Sequence, residues 1–292
     1  MQLSITGYST ALFSTWYFIE ELGLLFDAGD GLTSSLMQKA RKIDHVFISH
    51  ADRDHLTGLL QFNQLNAREG YPRIHFPYDS GSFPALAAFS QHFDPHVKGT
   101  SWHALKDGEQ VQVRENLLVQ SIRNNHVPAA ADVFKSFGYR VIETKQKLKP
   151  EFIGLSQEEI RQTIATIGKE NLTETFYTNL LTYSGDTPVD DYEKWNNTKI
   201  LIHEATFLEK SEGDNENTKR NKHSFLPEVL EMVSQLNIET LILGHFSSRY
   251  SNEQINEKIQ SLCKEFKIKI PVYRLLPGQV HRDILNEVPI YG

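Results

Sequence analysis

Cysteine is almost missing: a single residue, Cys263, stands among 292. One thiol closes no intrachain disulfide, which excludes a disulfide-stapled secreted scaffold. The opening MQLSITGYST has neither the basic start nor the apolar run of a secretory leader. Together these features predict a cytoplasmic protein. Long hydrophobic runs are also lacking. The most apolar early stretch, Ala11 to Phe26, is interrupted by Glu20 and Glu21 and falls short of the roughly 20 apolar residues of a membrane span, so no membrane partner is expected. Nor is there an excess of basic charge. Lys and Arg number 30 against 37 Asp and Glu, a formal charge of −7, which argues against broad coating of a nucleic acid but leaves a local patch open. Internal repeats of about 20 to 50 residues, low-complexity tracts and a Pro/Gly/Ser linker are absent. The chain is long enough for two domains at about 150 residues each, yet nothing divides it, and one domain over residues 1–292 is expected. What the sequence has in unusual supply is histidine, with 12 residues.

Short β-branched apolar runs that stop at Gly, Ser, Asp or His recur along the chain, as buried strands do when they meet loops. They are His45 to Ser49, Leu117 to Ile122, Leu180 to Tyr183, Ile200 to Ile202 and Leu241 to Leu243. Helical patterns lie between them: Leu56 to Leu65, Gln157 to Ile167, Leu226 to Leu236 behind a capping Ser224, and Asn252 to Phe266. The alternation predicts an α/β fold. At the N-terminus, Leu3 to Thr6, Trp16 to Ile19 and Leu24 to Asp27 read as sequential strands, which adds antiparallel hairpins to the sheet.

The segment Ser49-His50-Ala51-Asp52-Arg53-Asp54-His55 follows an apolar strand and opens a helical run. It packs His50, Asp52, Asp54 and His55 into one turn, and imidazole and carboxylate donors together suit zinc or a harder divalent ion. Other strand ends deliver one donor each: His126 before a Pro128 turn, Asp186 in Ser184-Gly185-Asp186-Thr187, and His245 after Gly244. These seven residues suit two metals sharing one bridging carboxylate. Such a centre activates water near neutral pH and clamps the attacking and leaving oxygens of an in-line displacement, which is hydrolytic chemistry. His223, in Lys222-His223-Ser224, is placed to protonate a leaving alkoxide and Glu204, in His203-Glu204-Ala205-Thr206, to orient it, a pair that points to a phosphodiester. His45 reads as a hydrogen-bonded core residue, His203 as a residue that orients a ligand or catalytic carboxylate, and Cys263 as packed rather than reactive.

These motifs resemble the metallo-β-lactamase superfamily, and within it the ribonuclease Z family of tRNA 3′-endonucleases. The resemblance runs nearly end to end. It takes in Leu25-Phe26-Asp27-Ala28-Gly29, the metal turn, His126 followed by Phe137-Gly138-Tyr139, then Ser184-Gly185-Asp186-Thr187, His203-Glu204-Ala205-Thr206-Phe207, Lys222-His223-Ser224 and His245-Phe246-Ser247-Ser248-Arg249-Tyr250. The opening Gly7 to Trp16 is similar to the short-armed bacterial type. The resemblance implies a four-layer αββα sandwich, a homodimer, and two divalent ions, zinc in the first place. One ion would be held by His50, Asp52, His126 and Asp186, the other by Asp54, His55, Asp186 and His245, with Asp186 bridging. It further implies that Asp54 helps to activate water, that His223, oriented by Glu204, donates the proton to the 3′-oxygen, and that Ser247 and Arg249 approach a backbone phosphate. The substrate would be a tRNA precursor.

Two departures stand out. Where the family has a second histidine in His-x-His-x-Asp-His, this chain has Asp52. A carboxylate there favours a harder ion such as Mn²⁺, and a third negative charge lowers the pull of the centre on phosphate and its activation of water. The arm by which the family grips tRNA is expected as a short insertion around residues 143–178. From Glu143 to Glu174 it holds five basic and six acidic residues, with Lys145, Lys147 and Lys149 as its only basic patch, so tRNA binding through the arm is expected to be weak and salt-sensitive. Two other readings follow from the same residues: a hydrolase of this fold acting on another phosphodiester, or a catalytically impaired member that binds RNA, with Asp52 as the lesion.

Overall fold

The computed structural model describes residues 3–210 and 222–292. Two mixed sheets form its middle. The first runs in chain order through β1 (Ile5–Thr10), β2 (Ser14–Ile19), β3 (Leu24–Phe26), β4 (His45–Phe47), β5 (Arg73–Pro77) and β6 (Ser101–Leu105). Its first two pairings are antiparallel and the remaining three parallel. The second sheet holds β7 (Gln110–Arg114), β8 (Leu117–Arg123), β9 (Phe137–Leu148), β10 (Thr173–Tyr183), β11 (Thr198–Glu204), β12 (Ile238–Gly244) and β13 (Val272–Arg274), again side by side in sequence order. It is antiparallel as far as β10 and parallel beyond.

The apolar runs are continuous rather than alternating because both faces of each sheet are covered. Between the sheets, Phe26 and Phe47 pack with Tyr139, Tyr183, Ile202 and Ile242 in one core. Outside the first sheet, α1 (Leu32–Leu36), α3 (Leu59–Asn66) and α4 (Ser82–Phe93) bury Leu32, Leu59, Phe62 and Phe83 with Val46 and Ile74. Outside the second, α7 (Leu226–Val233) and α8 (Asn252–Glu265) bury Leu230, Ile255 and Ile259 with Leu241 and Leu243. The result is a four-layer αββα sandwich. In α8, Ile255, Ile259 and Leu262 share one face by helical spacing, and a capping box between Ser251 and Gln254 opens the helix.

Three local expectations are corrected. The helix read from Leu56 to Leu65 is two pieces, α2 (Arg53–Leu56) and α3, parted where Gly58 presses against the loop after β3. A Cβ on Gly58 would lie 2.2 Å from the Gly29 carbonyl oxygen, so the chain takes the small residue there. Ser224 does not cap α7: the cap position is Phe225, and Ser224 Oγ donates to the Thr187 carbonyl. The first strand begins at Ile5 rather than Leu3 and runs on to Thr10.

The expected insertion is a long antiparallel extension of β9 and β10, paired out to Leu148 and Thr173, with α5 (Gln157–Ile167) and α6 (Lys169–Leu172) across its end. Two of the three lysines of its basic patch are engaged within the arm, Lys145 with Glu143 at 2.8 Å and Lys147 over the Phe176 ring at 4.8 Å. Across β4, β5 and β6, His45, His75 and His103 stack with ring centres 5.4 and 5.1 Å apart, and Phe47 lies 4.5 Å from His75.

Candidate metal centre

The parallel strands of both sheets end on one edge of the sandwich, and their loops meet there. The turn after β4 carries His50, Asp52, Asp54 and His55. The loops after β8, β10 and β12 carry His126, Asp186 and His245. His50, Asp52 and His126 bring donor atoms within 4.8 Å of one another, and so do His50, His55 and Asp186, and Asp54, His55 and His245. The Asp186 Oδ2 lies 3.7 Å from His50 Nε2, 3.2 Å from His55 Nε2 and 3.3 Å from His245 Nε2, the central place a bridging carboxylate needs. All seven residues expected to bind metal therefore meet in one place.

Hydrogen bonds around the centre decide which nitrogen each imidazole presents. Asp27, fully buried at the end of β3, accepts from the Ser49 N–H at 2.6 Å, the Ser49 hydroxyl at 2.8 Å, His55 Nδ1–H at 2.7 Å and the Tyr183 hydroxyl. Because the Ser49 hydroxyl gives its hydrogen to Asp27, it accepts from His50 Nδ1–H at 2.9 Å. His126 Nδ1–H donates to the Lys222 carbonyl at 2.7 Å. Thr206 Oγ1 donates to Glu204 Oε2 at 2.6 Å and so accepts from His245 Nδ1–H at 2.9 Å. In the neutral form, all four rings then turn an Nε2 lone pair inward. His55 Nε2 and His245 Nε2 face each other at 3.4 Å, and His50 Nε2 and His126 Nε2 are buried without a hydrogen-bond partner among the described residues. Asp52 Oδ2 stands 3.5 and 3.6 Å from the latter two, longer than an ordinary hydrogen bond. Lone pairs and carboxylates converging in this way fit divalent cations. The facing His126 and His50 hold the half-exposed Asp52 carboxyl far below the usual carboxylate range. Asp54 is raised by burial but brought down to about 2 by the His55 and His245 imidazoles.

Beside the centre, His223 Nδ1 lies 3.1 Å from Glu204 Oε1. Glu204 is buried and fixed by the Thr187 N–H at 2.8 Å and the Thr206 N–H at 3.2 Å. Burial disfavours charge on His223, but the Glu204 carboxylate outweighs it and pushes the imidazole up to about 9. A cavity of about 100 Å³ opens over these groups and is lined by Asp52, Asp54, Asp186 and His223 together with Ser247 and Arg249. Arg249 Nε donates to Ser247 Oγ at 3.0 Å, and its guanidinium lies 5.6 Å over the Phe207 ring. Asp54, His223, Ser247 and Arg249 thus share one cavity with the donors Asp52, Asp186 and His245, while Glu204 reaches it only through His223.

His203 sits apart from this grouping: its Nδ1 bonds the Glu204 carbonyl at 2.7 Å and its ring meets Trp195. Sequence reasoning passed over Asp27 and Thr206, which set the tautomers of His55 and His245, and over Leu12, whose N–H donates to Asp54 Oδ2 at 3.0 Å. For Asp27 the signal was present, a carboxylate at the end of an apolar strand, the same pattern that picked out Asp186. Thr206 and Leu12 carry no such signal.

Residues 24–149 match the family profile described as a beta-lactamase superfamily domain. The chain is 28% identical over 271 residues to a tRNase Z of Arabidopsis thaliana, covering 89% of each chain. Among solved structures it is similar to the metallo-beta-lactamase fold protein YhfI from Bacillus subtilis, with a TM-score of 0.62 at 16% identity over 96% of this chain and 99% of that one. It is likewise similar to the short form of human tRNase Z, with a TM-score of 0.59 at 18% identity over 96% and 99%.

Proposed function

We propose that this chain, which carries a beta-lactamase superfamily domain and is similar along most of its length to tRNase Z, is a metal-dependent endoribonuclease that cuts precursor tRNA on its 3′ side. The observation that carries the reading is the inward turn of three imidazole Nε2 atoms onto Asp186, next to a histidine paired with a buried carboxylate. His50, Asp52, His126 and Asp186 would hold one divalent ion, and Asp54, His55, His245 and Asp186 the other. Bound there, the ions would polarise the phosphate and make water a nucleophile near neutral pH.

The remaining work falls to the chain. Asp54, steadied by the Leu12 N–H, orients the attacking water and accepts its proton. His223, kept protonated by Glu204, gives its proton to the departing 3′-oxygen, while Thr187 and Thr206 hold Glu204 in line. Arg249, braced by Ser247, meets a phosphate oxygen of the RNA backbone. Asp52 gives both candidate sites the same donors, two imidazoles and one carboxylate besides Asp186. Zinc is the ion the resemblance favours, and Asp52 moves the preference toward manganese. A homodimer working in the cytoplasm completes the reading.

The test is metal content by mass spectrometry on protein prepared without chelators, alongside cleavage of a precursor tRNA with zinc or manganese and mapping of the product ends. Two ions per chain and a cut at the 3′ side are expected. Protein loaded with two ions that leaves the precursor intact would overturn the assignment in favour of another phosphodiester.

A further inference from the structure

Leu12, in the turn between β1 and β2, has a backbone φ of 70°, the left-handed region in which an L side chain crowds its own backbone. It is also 88% exposed, so burial gives nothing back, and its neighbour Phe13 is 61% exposed. Glycine would satisfy the turn and supply the N–H to Asp54 with less strain. A leucine that is unfavourable both in its backbone and in its hydration has its use outside the chain. Its position says where: Leu12 lines the cavity that Asp54, Asp186, His223 and Arg249 also line.

Resting on the proposed reading, we infer that Leu12 is a specificity residue whose side chain packs on the face of the nucleobase next to the scissile phosphate. Carboxylates and imidazoles of the lining suit phosphate and water, whereas Leu12, with Ala11 and Phe207, gives the cavity its apolar surface, Leu12 standing largely exposed. In a nucleotide, the apolar part is the flat face of the base. With the phosphate held at the carboxylates and imidazoles, where Arg249 meets it, the attached base reaches Leu12 in the same lining. A base within a duplex has both faces covered by its stacked neighbours, so this contact selects an unpaired nucleotide at the cleavage point.

The test uses the full chain loaded with manganese or zinc, as wild type and as Leu12→Gly, which keeps the N–H and suits the left-handed backbone. Two substrates are compared: a precursor tRNA carrying either its normal base or an abasic nucleotide at each position flanking the cut, and a small alkyl nitrophenyl phosphodiester that has no base. In wild type, removing the base at one flanking position should lower kcat/KM about tenfold, the size of one base contact. In Leu12→Gly the normal RNA should lose about the same factor relative to the small diester, mainly through KM, and the abasic change should cost nothing further. Equal losses on both substrates would mean that Leu12 acts only through Asp54. An undiminished abasic penalty in the variant would likewise overturn the inference while leaving the endonuclease reading intact. If wild type hydrolyses the small diester but not the RNA, it is the proposed function that fails, and the base contact with it.

Discussion

Replacing His75 by phenylalanine should make the protein less sensitive to acid. His75 lies on β5, 2% exposed, between Phe47 and His103, with Nδ1 lacking a hydrogen-bond partner among the described residues. Burial, reinforced by any charge on His45, His103 and Arg73, brings its imidazole down from 6.5 to about 2. In the unfolded chain the same side chain titrates near 6.5. Since the folded value is the lower one, the stability tied to the neutral ring is complete above about pH 6.5 and is lost as the pH falls, because the unfolded state takes up a proton that the folded state refuses. At pH 5 the loss from this one residue is about 2 kcal/mol, a sizeable part of a typical total stability of about 5–15 kcal/mol. Phenylalanine cannot titrate and stacks on Phe47 just as the imidazole does. Urea unfolding of wild type and His75→Phe at about pH 7.5 and about pH 5 measures the effect. Contributions that do not depend on pH, such as the added ring volume, cancel between the two conditions. The stability difference should move toward the variant by about 2 kcal/mol on acidification. Parallel pH dependence of the two proteins would refute the claim that His75 stays neutral in the fold.

Three further outcomes are expected. Asp52→His should raise the preference for zinc over manganese on the order of tenfold, read by competition with a chromophoric chelator, and an unchanged ratio would remove Asp52 from the donor set. His223→Ala should slow cleavage of RNA by roughly 10²–10⁴-fold yet slow a nitrophenyl phosphodiester far less, since a nitrophenolate leaves without a proton; equal losses would exclude His223 as the proton donor. Gly58→Ala should cost up to about 3 kcal/mol in unfolding experiments and weaken metal binding, because the new methyl would meet the Gly29 carbonyl at 2.2 Å and push on the turn that carries Asp54 and His55; wild-type stability would show that this backbone approach is looser than described.

How much of this was legible in the sequence depended on whether a residue's role is written in its type. His126, Asp186 and His245 announced themselves as polar donors at the ends of apolar runs, and the turn from His50 to His55 did so by density. Asp27 lies in the same kind of place but faces inward to other side chains, a direction no one-dimensional pattern gives. Thr206 became informative only once β11 and β12 stood side by side and brought it against His245. Leu12 was invisible because the sign of its φ is set by the tight β1–β2 turn, and leucine is no marker of a left-handed residue. The strands β5, β6, β7 and β9 carry charged or polar residues spread among their apolar ones, which blurred them beside the more apolar runs.

Asp27 has a consequence for the order in which the molecule comes into being. It joins β3 to the metal turn through Ser49 and His55, and to the second sheet through Tyr183, so one buried carboxylate serves both as a clasp between the sheets and as a brace for the donors. The donors are divided the same way: residues 24–149 hold five of the seven, while Asp186 and His245 come from later strands. On the ribosome, a partly made chain therefore owns imidazoles without the carboxylate that unites them. Under the proposed function the centre would be complete only when the second sheet closes over the first, and an ion held there would tie both halves together and add its binding energy to the resistance of the sandwich against unfolding.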